Sequence, residues 1–330
     1  MKKFILNVFL ISSLYCVIIS SALLFFGFIL NKKATFKLAP DSKYIVLGHS
    51  HPECAFNDSL ITNLSNYGRS GESYFYTFFK AKKLLEQNQQ IKSVFLEFSN
   101  GHIDKQKDEW IWGDKYINNN YPTYYPYMEF QDHKLLLEHN TSTSLINLNA
   151  SLIRNLEFIF RNGFDYSNKI GGYKYLVRDK TDSILANQLD TVSRKDNPAE
   201  RNSESIEYLE KIIKYCKERK VTIYLIRSPV HNKNPEFSNE KKFKNVLTTR
   251  FPDVEFLDFV KFPLSNSDFG DLQHLNYRGA NKFSIWFNHL IREGLLHNID
   301  KQRIIDEKIR KESINVEKMR KPVIANLPNH

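Results

Sequence analysis

Cysteine is scarce, with only Cys16, Cys54 and Cys216 in 330 residues, too few for the disulfide framework of a small secreted domain. Cys16 lies in an apolar stretch, which leaves at most Cys54 and Cys216 to pair; their spacing does not argue for a bond, so that pairing stays open. No nucleic-acid motif and no internal repeat is present. The net charge of +10 suits an anionic partner. Its lysines and arginines are spread along the chain rather than gathered in one patch, which points to anionic lipid or an acidic polymer before nucleic acid.

Charge itself is missing from Phe4 to Leu30. Lys2 and Lys3 precede this stretch; Asn31, Lys32 and Lys33 follow it. A bilayer core needs about 20 apolar residues, whereas the apolar part of a signal peptide has roughly 7–15. The stretch is too long for the second, lacks an A-x-A cleavage site, and has none of the polar face of a buried core helix. It therefore predicts an uncleaved transmembrane helix over residues 1–33. Lysines at both ends leave the positive-inside rule undecided; we take the N-terminus as cytoplasmic, giving a single-pass protein of the cell membrane with an extracytoplasmic, periplasmic domain.

Beyond the helix, residues 31–42 (NKKATFKLAPDS) read as a polar tether. Short apolar runs then alternate with helical patterns. Strands are expected at 44–48, 61–66, 93–98, 221–226 and 254–257, and helices at 71–88, 144–160, 205–219, 241–251 and 277–293. Such alternation implies a parallel sheet covered on both faces, an α/β fold. Residues 101–200 break it, so we expect one domain over 34–299 with an insertion at about 101–200. A charged tail, 300–330, follows; a solvated or frayed helix is its default reading.

Two patterns carry chemistry. Gly48-His49-Ser50-His51 follows the first strand, and open α/β sheets build their sites at the carboxyl ends of strands. Serine there is also a common turn residue. Asp271-Leu-Gln-His274-Leu-Asn276 precedes the last helix; alone it would be a helix cap beside a surface histidine. A serine hydroxyl needs a base to take its proton and an acid to orient that base, and the two patterns together supply all three groups.

In this arrangement the chain resembles the SGNH/GDSL hydrolase superfamily, over residues 44–294. Asn66-Tyr-Gly68 is similar to the family's second block and Asn100 stands where the third places its asparagine. D-x-x-H-L-N-x-x-G, with Asn276 and Gly279, resembles the membrane-anchored branch serving cell-envelope polymers, such as D-alanyl-lipoteichoic acid transfer proteins and polysaccharide O-acetylation partners. The first block reads Gly-His-Ser where the family has Gly-Asp-Ser, and the third lacks Gly-x-Asn-Asp. The resemblance implies a flavodoxin-like three-layer sandwich around a central parallel sheet. It also implies a triad of Ser50, Asp271 and His274, with an oxyanion held by the Ser50 and Gly68 amides and the Asn100 side chain. The activity implied is an acyl-ester hydrolase or O-acyltransferase, needing no cofactor or metal, acting on cell-envelope or exported polysaccharide. Its partners would be the membrane, an acyl-ester or glycan substrate and a membrane-bound acyltransferase.

Two other classes remain open: a catalytically silent binding or assembly module, and a metal-dependent hydrolase using His49, His51, Glu53, Asp271 and His274. Trp110 and Trp112 are candidates for stacking on sugar rings or, equally, for packing within the insertion. Glu97 and Arg227, at strand ends, read as structural ion partners.

Overall fold

The computed structural model describes residues 1–187 and 203–320. Strands β1 (Tyr44–Gly48), β2 (Leu64–Gly68), β3 (Ser93–Glu97), β4 (Thr222–Arg227) and β5 (Glu255–Asp258) form one all-parallel sheet, ordered β2-β1-β3-β4-β5. This is the flavodoxin-like order, which puts every strand's carboxyl end on one edge. The helices in chain order are α1 (Lys2–Lys33), α2 (Ser50–Ala55), α3 (Tyr74–Gln87), α4 (Glu109–Trp112), α5 (Asp114–Tyr124) and α6 (Phe130–His139). They continue as α7 (Thr141–Phe160), α8 (Thr181–Asn187), α9 (Glu204–Glu218), α10 (Glu240–Arg250), α11 (Tyr277–Arg292) and α12 (Lys301–Arg320).

The strands are apolar on both faces because both faces are covered. Ile45, Leu47, Val94, Leu96, Ile223 and Leu225 join Phe75, Phe79, Leu209 and Ile212 of α3 and α9 in one core. Their alternates Val46, Phe95, Tyr224, Ile226 and Leu257 join Phe283, Phe287 and Leu290 of α11 in the other. The expected second strand at 61–66 is shifted to Leu64–Gly68, since Asp58–Leu60 forms a short 3-10 turn and Asn63 bends the chain at φ 59°.

Helices α4 to α8 lie between β3 and β4 in sequence and give the sheet no strand. The expected end of this insertion, near residue 200, falls outside the described residues. A buried ion pair ties it to the core: Lys80 Nζ stands 2.6 Å from Glu72 Oε1, both side chains fully enclosed. Lys80 also donates to the Tyr67 carbonyl at 2.7 Å and Tyr124 Oη of α5 to Glu72 Oε2 at 2.7 Å. Charges this deep persist only when each is hydrogen-bonded as well as paired.

Two expectations are corrected. Residues 31–42 are no tether: the Thr35 amide donates to the Phe164 carbonyl and the Tyr166 amide to the Thr35 carbonyl, both at 2.8 Å. Phe36 is buried, its amide donating to Gln87 Oε1 at 2.7 Å. The C-terminal segment is not merely a solvated tail, because Ile305 and Ile309 of α12 enter the second core and Lys301 pairs with Glu255 at 2.8 Å.

Helix α1 is long and apolar enough to cross a membrane. Its last third packs along α7, burying Leu23, Gly27 and Leu30. The end of the apolar helix is therefore part of the fold. Deleting residues 1–33 should cost about 3 kcal/mol of stability relative to deleting residues 1–21, the transfer value of two buried leucines discounted for fraying. Urea unfolding of the two truncated proteins measures this; equal midpoints would show that α1 adds nothing to the domain.

Candidate active site

Gly48 ends β1 at φ +139°, and a Cβ there would lie 2.6 Å from Glu97 Cβ of β3. Only glycine allows the chain to turn so sharply against the next strand. That turn starts α2 at Ser50 with His49 as its N-cap. Ser50 thus stands at the carboxyl edge of the sheet on the first residue of a helix. Its amide has no intrahelical partner, and none among the described residues.

The loop before α11 is held from both sides. Gly270 N–H donates to the His274 carbonyl at 2.8 Å, closing it on itself. The enclosed Asn276 donates to the carbonyls of Ser267 and Phe269 and caps α11 by accepting from the Arg278 and Gly279 amides. A Cβ on Gly279 would fall 2.2 Å from the Asp268 carbonyl oxygen. The asparagine and glycine of D-x-x-H-L-N-x-x-G are thereby explained as the support of the Asp–His loop.

Within this frame His274 Nε2 lies 2.8 Å from Ser50 Oγ, and His274 Nδ1 lies 2.8 Å from Asp271 Oδ1 and 3.1 Å from Oδ2. A carboxylate only accepts, so Nδ1 carries the proton toward Asp271 and Nε2 is left to accept from the serine hydroxyl. Burial alone would raise the Asp271 carboxyl. It is outweighed by the hydrogen bond and charge of His274, the Gln273 amide and the Arg178 guanidinium, which hold the group down to about 2. Arg178, from the segment after α7, contacts Asp271 Oδ2 directly and lies 3.4 Å from His274 Nδ1. Nothing in its sequence surroundings singles it out.

The Gly68 amide and the Asn100 side chain, both expected to face an oxyanion, are already hydrogen-bonded. Gly68 N–H donates to Asn66 Oδ1 at 2.8 Å. Asn100 gives both amide hydrogens away, to Asn239 Oδ1 at 3.1 Å and Glu240 Oε2 at 2.8 Å, and accepts from Arg227 Nη1 at 2.8 Å. It is drawn into the ring of charge around Arg227, which also pairs with Asp258. That ion-partner role fits Arg227; Glu97 accepts from the Ser228 amide and hydroxyl at 3.1 and 2.6 Å and lies 3.5 Å from His51 Nδ1.

A cleft of about 180 Å³ opens over Ser50, lined by His49, His51, Lys107, Trp110, Glu236 and Gln273 among others. Trp110 stacks on Tyr116, with Lys107 Nζ 3.4 Å from its ring centroid. Trp112 is turned elsewhere, stacked on His139 at 3.8 Å, so the two tryptophans do not act together. Among the described residues, no group of three or more His, Cys, Asp or Glu is placed to hold a metal ion.

Beneath the cleft His49, His51 and His102 pack ring to ring, all buried. Burial lowers His51 to about 3 and takes His49 and His102 well below the ordinary imidazole value, while it raises the enclosed Glu97 to about 8. Unfolding therefore lets three imidazoles take up protons below about pH 6.5, and stability falls as the medium is acidified. Glu97 works the other way, because the native state keeps a proton that the unfolded chain loses above about pH 4.5. Its contribution declines up to about pH 8. Three histidines outweigh one glutamate at acid pH, so stability should peak near pH 6.5. Glu97→Gln should flatten the alkaline limb and leave the acid limb, as read from urea midpoints across the range. An unchanged alkaline decline would show that Glu97 is ionised in the native state.

In comparisons with known proteins, a family model without a functional description matches residues 186–296, and no curated protein matches. A solved structure of a "putative acylhydrolase" from Bacteroides fragilis aligns over 85% of this chain and 95% of its own, at 11% identity and a TM-score of 0.33. A superposition that loose bears no weight on function.

Proposed function

We propose that this chain is an SGNH-type serine acyl-ester hydrolase or O-acyltransferase. In this reading α1 anchors it in the cell membrane with its N-terminus cytoplasmic, and it serves cell-envelope or exported polysaccharide. The observation that carries the reading is the unbroken relay Asp271–His274–Ser50, each link 2.8 Å. Ser50 Oγ attacks the ester carbonyl carbon as His274 Nε2 takes its proton. The ester C–O bond breaks, and the imidazolium returns that proton to the departing alkoxide. Water or a sugar hydroxyl then attacks the acyl-Ser50 carbonyl, His274 takes the new proton, and the bond to Oγ breaks as Ser50 regains its hydrogen. Asp271 stays ionised throughout and stabilises the imidazolium. In this reading the Ser50 amide donates to the oxyanion, a role worth roughly 3–4 kcal/mol of barrier per donor.

A sugar ring stacking on Trp110 has to displace the Lys107 ammonium that lies over it. Membrane-bound acyltransferases are the natural source of the acyl group in the transferase case.

A second reading, a silent envelope module of the same fold, is favoured by one observation: the Gly68 and Asn100 donors are already committed. Labelling by a fluorophosphonate probe decides between the two. Ser50→Ala should abolish labelling without unfolding the protein. His274→Ala should slow it at least about a thousandfold, because triad members act as a unit. Wild-type protein that does not label, or Ser50→Ala that still does, would leave the silent module as the answer. Turnover of acetyl against longer acyl esters, with and without glycan acceptors, then separates hydrolase from transferase.

A further inference from the structure

Helix α7 is built inside out. Its buried positions are polar or small, Thr143, Ser144, Asn147, Ser151 and Asn155, while Leu145, Ile146, Ile153 and Phe160 are 50%, 66%, 68% and 82% exposed. A helix facing water shows the reverse pattern; apolar side chains turned outward over a small, polar seam belong to helices whose outer solvent is lipid. Arg154, the one charge between Thr141 and Leu156, is itself half-buried, over the Phe158 ring at 5.1 Å.

Helix α7 packs on α5, α6 and α1, and α1 adds its own exposed apolar side chains, Leu24, Phe25 and Phe28. Helices α1 and α7 end side by side, tied where Thr35 bridges to Asp165. Both ends there carry cations: Lys32 lies over the Phe28 ring at 4.8 Å, Lys33 over the Phe164 ring at 5.3 Å, and Arg161 is exposed on a pair with Glu157. Cations next to aromatic rings at the end of an apolar face suit an anionic headgroup layer. Length adds a further constraint. The 27 uncharged residues from Phe4 to Leu30 make a rod of about 40 Å against a hydrocarbon core of about 30 Å, so α1 fits by tilting about 40°. A tilted, jointless α1 lowers its neighbours onto the bilayer.

We propose that the outward face of α7, with that of α1, lies against the bilayer, so that the domain contacts lipid through α7 as well as through its anchor. This rests on α1 being inserted, as in the functional reading above. The test uses full-length protein in vesicles of phosphatidylglycerol and phosphatidylethanolamine. Cys16→Ser carries an environment-sensitive fluorophore on a new cysteine at Ile146, Ile153, Tyr15 or Ile299. Labels at Ile146 and Ile153 should emit to the blue and be quenched severalfold more by nitroxide lipid than by aqueous iodide. The label at Ile299, exposed on the far connection to α12, should show the opposite. Iodide quenching at Ile146 and Ile153 with lipid quenching kept at Tyr15 would overturn the α7 contact and leave the anchor standing. Iodide quenching at Tyr15 as well would sink the anchor itself. Shielding of the α7 labels from both quenchers would mean that protein covers the face, and would refute the lipid contact too.

Discussion

All five strands run the same way, and the rest of the molecule follows from that constraint. Parallel strands need crossovers, which cover both faces, so the strands become apolar on both sides and the loops that remain free gather at one edge. Ser50 and His274 are 224 residues apart in sequence and 2.8 Å apart in space because each follows or faces the carboxyl end of this one sheet. The large excursion between β3 and β4 is tolerated for the same reason. It leaves from the edge and returns to it, and the β3–β4 pairing of Ser93–Glu97 with Thr222–Arg227 is undisturbed.

Bringing so many polar groups to one edge costs desolvation, and the molecule meets that cost in three ways. Arg227 is neutralised by two carboxylates and keeps its charge. Lys80 and Glu72 form a pair that is also hydrogen-bonded to the Tyr67 carbonyl, Thr77 and Tyr124. His49, His51, His102 and Glu97 instead give up charge, their protonation pushed toward neutral forms by burial. The third solution leaves an uncharged floor under the cleft. Against it, the ionised Asp271 is the carboxylate that faces the His274 ring, which concentrates its field on that imidazole.

How much was legible in the sequence follows the range of the interactions involved. The strands announce themselves as short apolar runs, and the Asp–His loop as a local pattern whose Asn276 and Gly279 serve contacts a few residues away. Elements set by distant partners were not legible. Thr35 and Phe36 look polar and loose until Asp165 and Gln87 are placed beside them. Asn100 occupies its expected position just after β3, but Arg227, Asn239 and Glu240, over 120 residues further on, take its amide. Arg178 has no local signature, and its meaning arises only where the chain after α7 crosses Asp271. The apolar residues of α12 were visible, yet their weak periodicity could not show that Ile305 and Ile309 reach the core.

The same contrast of range bears on α1. A helix that ended at the membrane surface and joined the domain by a flexible linker would leave the cleft free to sample any direction, and the local concentration of membrane-borne groups would be set by linker length. Here the helix continues without a break from its apolar end to Lys33, buries Leu23, Gly27 and Leu30, and passes directly into the bridged segment at Thr35. Bending it would cost both packing and backbone hydrogen bonds, so helix and domain move as one body. Whatever surrounds the first twenty residues of α1 therefore fixes where the cleft over Ser50 points.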